Sequence, residues 1–115
     1  MMTEAKQNAI NDFIIENAQR KFDPMITKAQ ITNREPTYPM SWGARNWGGI
    51  NDEALCFIVN GRLHQGIVII TLGWMDTYNI HLFEHNGEQV GESTNDIYED
   101  QLVYILDELI ETPRE

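Results

Sequence analysis

The middle of the chain constrains the fold most, because it reads as consecutive β-strands joined by short reversals. The apolar run Ala54–Val59 precedes Asn60–Gly61, a dipeptide suited to a two-residue type I′ turn because both turn positions need positive φ. A second run, Leu63–Leu72, can pair with the first, and Gly73 permits another reversal. The sequence therefore predicts an antiparallel meander here.

Two later segments extend this meander. Apolar and polar residues alternate across Tyr78–Phe83, as expected of a half-buried strand. Asn86–Gly87 then marks a hairpin leading to a weak final strand around Glu88–Gly91. We therefore assign residues 54–92 to a β-meander of three to four strands.

Helices are predicted on both sides of the meander in sequence. Thr3 can cap a helix with apolar residues at spacings of three to five, and Pro24 should terminate it. Asn95 or Asp96 can cap a closing helix. The prediction is one α+β domain, residues 1–115, with both helices packed on one face of the sheet. It comprises an N-terminal helix (1–24), an irregular connection (25–53), the meander (54–92) and an acidic C-terminal helix (95–112).

The net charge of −10 is confined to one half of the chain. Residues 1–62 contain seven basic and seven acidic side chains, whereas residues 63–115 contain eleven acids and a single base, Arg114. Such an asymmetric charge repels nucleic acid and attracts basic surfaces. We therefore expect no direct binding to nucleic acid.

The closing helix carries much of this charge. At 100° per residue, four carboxylates fall on the side opposite the apolar residues, with two more flanking them. Carboxylates at i and i+4 lie about 6 Å apart, near the spacing of successive phosphates, so the row can imitate a nucleic acid strand. The alternative is a solvated face that only confers solubility. The four residues, called here the acidic stripe, are Asp96, Asp100, Asp107 and Glu111, and the flanking residues are Glu99 and Glu108.

A second candidate surface lies in the segment YPMSWGARNWGG. Trp42, Arg45 and Trp47 occur together there, and protein interfaces favour these residue types as hot spots. The same residues can instead pack over an open edge of the core. Both interpretations remain open from the sequence.

No motif in the chain predicts catalysis, a metal or a cofactor. His81 and His85 have the spacing of a zinc-peptidase motif, but that chemistry requires a helix and this segment reads as a strand, with His81 on its exposed face. Gly61 and Gly66 lack the Lys and Ser or Thr that follow in a phosphate loop. We expect a non-enzymatic, cytoplasmic protein, because the longest aliphatic run is far too short for a membrane span and the polar N-terminus lacks a signal sequence.

Two segments resemble a known group of proteins. The stretch ITLGWMDTYNIHLFE and the helix IYEDQLVYILDE are similar to motifs of small uncharacterised proteins encoded by bacteriophages and other mobile elements. The segment Gly43–Trp47 resembles the start of the same domain, with Arg in place of Lys and Trp in place of Phe. The resemblance covers residues 43–111 and implies a genomic setting rather than a mechanism. The matching residues are Ile70, Thr71, Leu72, Asp76, Tyr78, Tyr98, Asp100, Gln101, Leu102 and Ile105.

These observations favour an accessory protein that binds a basic host protein through the acidic helix. One form of this hypothesis is a DNA mimic that inhibits a nucleic-acid-binding or defence protein of the host. The alternative is a structural module that self-associates, for example as a homodimer, through a strand edge or the tryptophan segment. Neither hypothesis involves a membrane.

Overall fold

Five strands form one antiparallel sheet in which each strand pairs with its neighbours in sequence. The structure, a computed structural model, describes residues 4–111 and the side chains of residues 9–111. Within those residues the sheet has one more strand than the upper limit of the prediction, and four helices accompany it. In chain order the elements are α1 (Glu4–Asn17), α2 (Pro24–Arg34), α3 (Thr37–Ser41), β1 (Arg45–Ile50), β2 (Ala54–Asn60), β3 (Gln65–Leu72), β4 (Tyr78–Phe83), β5 (Thr94–Ile97) and α4 (Glu99–Ile110).

The central strand β3 is buried on both of its faces. Every residue from Gly66 to Leu72 is buried, and only Gln65 is exposed. Because successive side chains of a strand point to opposite faces, β3 contributes to two separate cores. Val68 and Ile70 belong to the larger core, whereas Ile67 and Ile69 belong to the smaller one.

The two cores are covered by different helices. Ile10 and Ile14 of α1 pack in the smaller core. The larger core contains Ile31 of α2, Trp42 beside α3, and an apolar side of α4. That side of α4 consists of Leu102, Val103, Leu106 and Ile110.

The α+β class and the single antiparallel sheet are confirmed, but the predicted placement of both terminal helices on one face is wrong. Helix α1 lies on the opposite face from α4. The run Ile67–Ile70 is apolar without alternation, which is typical of a strand covered on both faces. A sheet with such a strand at its centre requires a helical layer on each side.

The region predicted as an irregular connection, residues 25–53, forms regular structure instead. Asp23 accepts a hydrogen bond from the Met25 backbone N–H at 3.0 Å and caps α2. Pro24 occupies the first position of that helix, where its missing N–H costs nothing. The proline therefore begins α2, while α1 ends earlier, at Asn17. The proposed cap of α1, Thr3, lies outside the described residues.

The linker between α1 and α2 crosses one end of the sheet. The Arg20 backbone N–H donates to the Leu72 carbonyl at 3.0 Å, at the end of β3. The Phe22 N–H then donates to the Asp52 carbonyl at 2.8 Å, in the β1–β2 turn. These bonds carry the chain from the face covered by α1 to the face covered by α2.

The β2–β3 connection is a four-residue loop rather than the predicted type I′ turn. Asn60 pairs with Gln65, and neither Asn60 nor Gly61 has positive φ. The end of α4 packs into this loop, because the Ile110 carbonyl accepts the N–H groups of Leu63 (2.8 Å) and His64 (3.3 Å). The loop thus supplies donors for a carbonyl that the end of a helix leaves unpaired.

The C-terminal part of the meander also differs from the prediction. The segment Glu88–Gly91 makes only an isolated bridge, between Phe83 and Gln89. The last strand is β5, and it includes both Asn95 and Asp96, one of which was expected to cap the helix. The residue that precedes α4 is Tyr98, without a side-chain capping bond. Within the described residues, the helix is thus shorter than the predicted range 95–112.

Two glycines provide a matched test of this packing. A Cβ at Gly61 would lie 2.3 Å from the Ile110 carbonyl oxygen, whereas a Cβ at Gly48 would meet nothing within 4 Å. We expect Gly61→Ala to lower the free energy of unfolding by about 2 kcal/mol or more, because backbone must move. Gly48→Ala should lower it by no more than about 0.5 kcal/mol. Urea unfolding followed by circular dichroism measures both; equal losses would contradict the described packing.

Candidate partner-binding surface

Strand register brings three loops together at one end of the sheet. Leu72 pairs with Tyr78, and Tyr78 pairs with Ile97, so the β3–β4 turn lies beside the start of α4. The β1–β2 turn closes at the same end, since Ile50 pairs with Ala54 and Leu55 with Ile70. We call this region, residues 51–53, 73–77 and 96–100, the acidic end.

The β3–β4 turn presents two large apolar side chains to solvent. Trp74 is 70% exposed and Met75 is 82% exposed. Neither contributes to either core. Trp and Met are enriched at protein interfaces, and clustered exposed apolar residues mark interaction sites.

The same turn is held in place by several contacts. The Gly73 N–H donates to the Thr77 carbonyl at 2.8 Å, and Asp76 takes the left-handed conformation with φ 61°. The Trp74 N–H donates to the Gln19 side chain at 2.9 Å. Arg20 forms an ion pair with Asp76. The linker after α1 therefore fixes the turn that carries the exposed Trp and Met.

Sequence reasoning missed Trp74 and Met75, although a signal for them was present. Gly73 correctly indicated a reversal between two strands. Side chains at the tip of such a reversal project away from the sheet, so a Trp–Met pair there indicates an exposed apolar site.

Two predicted acidic residues lie at the acidic end with their side chains exposed. Asp96 lies in β5 with φ 62°, and its backbone N–H donates to the Asn79 side chain at 3.1 Å. Asp100 is in the first turn of α4, where a carboxylate also interacts favourably with the helix dipole. Both carboxylates belong to the same end as Trp74.

Glu99 lies nearby but is paired with a base. Nη2 of Arg34 contacts both carboxylate oxygens of Glu99 at 3.1 Å. The two residues also line an open groove of about 550 Å³ between α2 and α4. Glu99 therefore contributes less negative field to the acidic end than Asp96 or Asp100.

The acidic stripe predicted on α4 is not continuous. Asp107 is only 5% exposed, and it accepts a hydrogen bond from Trp42 Nε1 at 2.8 Å. The buried side of α4 includes Val103 and Ile110, so it is rotated toward Asp107 relative to the predicted apolar side. The expectation that Asp107 faces solvent is therefore wrong.

Glu111, at the C-terminal end of the acidic stripe, is also less exposed than predicted. The Glu111 side chain is 14% exposed, and its Oε1 lies 3.6 Å from Arg62 Nε. Glu108 remains exposed. Of the carboxylates that α4 itself carries, Asp100 and Glu108 are thus the exposed ones without an ion pair among the described residues. They are two turns apart, about 12 Å, which is twice the spacing needed to imitate successive phosphates.

The tryptophan segment is mainly a packing element. Trp42 is fully buried, which excludes it as an exposed anchor, and its carbonyl accepts the Asn60 N–H at 2.6 Å. Trp47 is half-buried, stacks on Phe57 with ring centroids 4.1 Å apart, and has Lys28 Nζ 5.4 Å from its ring centroid. Arg45 is exposed at the start of β1, away from the acidic end.

His81 forms the most specific buried polar cluster. Its Nε2 lies 2.9 Å from Thr71 Oγ1, its Nδ1 lies 2.6 Å from Ser93 Oγ, and Ser93 accepts a further bond from Gln89 at 3.0 Å. His81 is 3% exposed, so its predicted place on an exposed face is wrong. Burial lowers the pKa of His81 to about 4, which makes the imidazole a weak base for activating Ser93. The cluster is best explained as a satisfied buried network.

Residues 4–111 provide no support for a metal site or for a helix that spans a membrane. That part of the chain contains no group of three or more His, Cys, Asp or Glu residues arranged to hold a metal ion. None of its helices combines the length and apolarity needed to cross a membrane. Comparison of the chain with protein-family models, curated proteins and solved structures finds no match. The resemblance to phage-encoded proteins therefore stays a prediction.

The role of Asp107 can be tested against its neighbour on the helix. Asp107→Ala leaves the indole N–H of Trp42 buried without its acceptor, and we expect a loss of about 2 kcal/mol in the free energy of unfolding. Glu108→Ala should change it by no more than about 0.5 kcal/mol. Trp42→Phe combined with Asp107→Ala should cost less than the two single changes together. Additive losses in denaturant unfolding would show that the two side chains do not interact.

Stability should fall in weakly acidic solution because of His81. The unfolded imidazole has a pKa of 6.5 and the folded one about 4, so between these pH values only the unfolded chain binds the proton. The stabilisation is complete above pH 6.5 and decreases by up to roughly 3 kcal/mol as the pH approaches 4. Other titrating groups add their own dependence, which is common to wild type and variants.

A comparison of variants isolates the contribution of His81. Urea unfolding between pH 7 and pH 4 should give a shallower decline for His81→Gln than for wild type. A His81→Gln slope equal to the wild-type slope would refute the assignment.

Proposed function

We propose that this protein is a non-enzymatic binding protein whose acidic end docks on a basic surface of another protein. The proposal rests above all on the exposed Trp74–Met75 pair, which the Gln19 and Arg20 contacts hold at one end of the sheet. A folded chain gains nothing in stability from such exposed apolar area. Contact with a partner would remove that area from water.

Charge supports a basic partner rather than an acidic or neutral one. Asp96 and Asp100 are exposed on the strand and helix that adjoin the Trp74 turn. The chain as a whole carries a net charge of −10. Acidic groups around an apolar centre would steer a basic partner toward the site and select its orientation.

The DNA-mimic form of this function now rests on fewer carboxylates than the sequence indicated. The exposed acids at the acidic end come from a strand and a helix instead of one continuous helical row. A basic groove that normally binds nucleic acid remains a fitting partner, because it recognises negative charge. The resemblance to phage-encoded proteins would make that partner a protein of the bacterial host.

The proposal can be tested by affinity capture with matched variants. Bait chains would be wild type, Trp74→Ala/Met75→Ala, Asp96→Asn/Asp100→Asn, and the control Glu84→Gln/Glu88→Gln. The control removes the same two charges from exposed positions around the Asn86–Gly87 turn, at the opposite end of β4. A protein captured by wild type would be purified and its Kd measured at two salt concentrations.

We expect both changes at the acidic end to weaken binding at least tenfold and the control to leave it within about twofold. Binding should weaken as salt increases, and Asp96→Asn/Asp100→Asn should reduce that dependence. Equal loss in all three variants would show that binding does not depend on the acidic end and would contradict the proposed site. Displacement of the chain by duplex DNA would support the mimic form, and its absence would refute that form alone.

A further inference from the structure

The two edges of the sheet differ in how well they are protected. Among residues 4–111, no strand pairs with the outer edge of β1 or of β5. β5 has four residues, and Asp96 interrupts its regular conformation with positive φ. Short edges with charges and irregular backbone discourage pairing with other chains. β1 has six residues, of which only Arg45 is charged.

β1 also has little side-chain bulk at its centre. Gly48 and Gly49 are adjacent, and the position of a Cβ on Gly48 faces open space. Behind the strand, Trp47 stacks on Phe57 and contacts Lys28, which fixes the strand on the rest of the protein. Asn46 has φ 57°, and the register shifts between Arg45 and Gly48, so the first part of β1 is irregular like β5; Gly48–Ile50 is paired regularly with β2. This last part is a regularly paired edge that no described strand covers, and Gly49 in it is exposed.

We propose that a second copy of this chain pairs with β1 in antiparallel orientation, joining two five-stranded sheets into one of ten strands. Pairing centred on Gly48 and Gly49 brings Arg45 of each copy near Asp52 of the other. Both side chains belong to exposed residues, so the two-fold arrangement forms two equivalent ion pairs.

A second copy fits this edge because strand β1 and the turn after it are self-complementary. One end of β1 is basic, and the turn after it contains Asp52 and Glu53. Antiparallel pairing therefore opposes unlike charges at both ends. The rest of the molecule carries most of the net negative charge, so association through other faces would oppose like charges. The dimer also leaves the Trp74 turn free, because that turn joins β3 to β4.

Charge exchange tests the arrangement directly. The variants Arg45→Glu and Asp52→Lys each place like charges at both contacts, so sedimentation equilibrium should show the dimer Kd raised at least tenfold relative to wild type. Mixing the two variants restores opposite charges at both contacts in a heterodimer. We expect the mixture to associate within about threefold of the wild-type Kd. Circular dichroism would verify that each variant is folded.

Several outcomes would overturn the proposal. These are a monomeric wild type at millimolar concentration, or single variants that associate as well as wild type. A mixture that stays monomeric would exclude this pairing even if wild type dimerises. Glu88→Lys, a charge reversal at an exposed residue in the turn after β4, three strands away from β1, serves as the control and should dimerise like wild type.

Discussion

The fold depends on burying both faces of β3. Seven of its eight residues are inaccessible, so each face must be covered by a separate helical layer. Helix α1 supplies one layer, and α2, α3 and α4 supply the other. The linker that carries the chain between the layers must cross an end of the sheet, and its bonds to Leu72 and Asp52 place it beside the turns there. The position of the candidate surface thus follows from the way the two layers are connected.

The hydrogen bond between Trp42 and Asp107 explains why the acidic helix is less exposed than its composition suggests. A buried indole N–H requires an acceptor, and the carboxylate of Asp107 provides one at 2.8 Å. This contact turns α4 so that one of its acids faces the core. Arg62 and Arg34 then pair with Glu111 and Glu99. Asp107, Glu111 and Glu99 are therefore engaged in contacts within the protein. The exposed acidic residues that remain in this region are Asp96, Asp100 and Glu108.

Sequence patterns predicted the structural features that depend on neighbouring residues. They did not predict the features that depend on contacts between residues far apart in the chain. The strands β2, β3 and β4 followed from apolar runs and glycine-containing turns. Pro24 was ambiguous, because the same residue can end one helix or begin the next, and only the Asp23 cap distinguishes the two. The burial of Trp42 and Asp107 depends on a hydrogen bond between residues 65 positions apart. The hydrophobic periodicity of a short segment gives no information about such a contact. The exposure of Trp74 could have been predicted from the sequence, since Trp74 lies in a chain reversal that the pattern identified.

The Trp74 turn lies apart from both cores, so its side chains can be substituted independently of the packing of the fold. The turn is closed by backbone bonds and by contacts of Gln19 and Arg20, while the Trp74 and Met75 side chains pack in neither core. Substitutions at these two positions therefore leave the burial of β3 intact. Partner preference can diverge among related chains without loss of the fold, and the same turn offers a place where a different recognition sequence can be grafted.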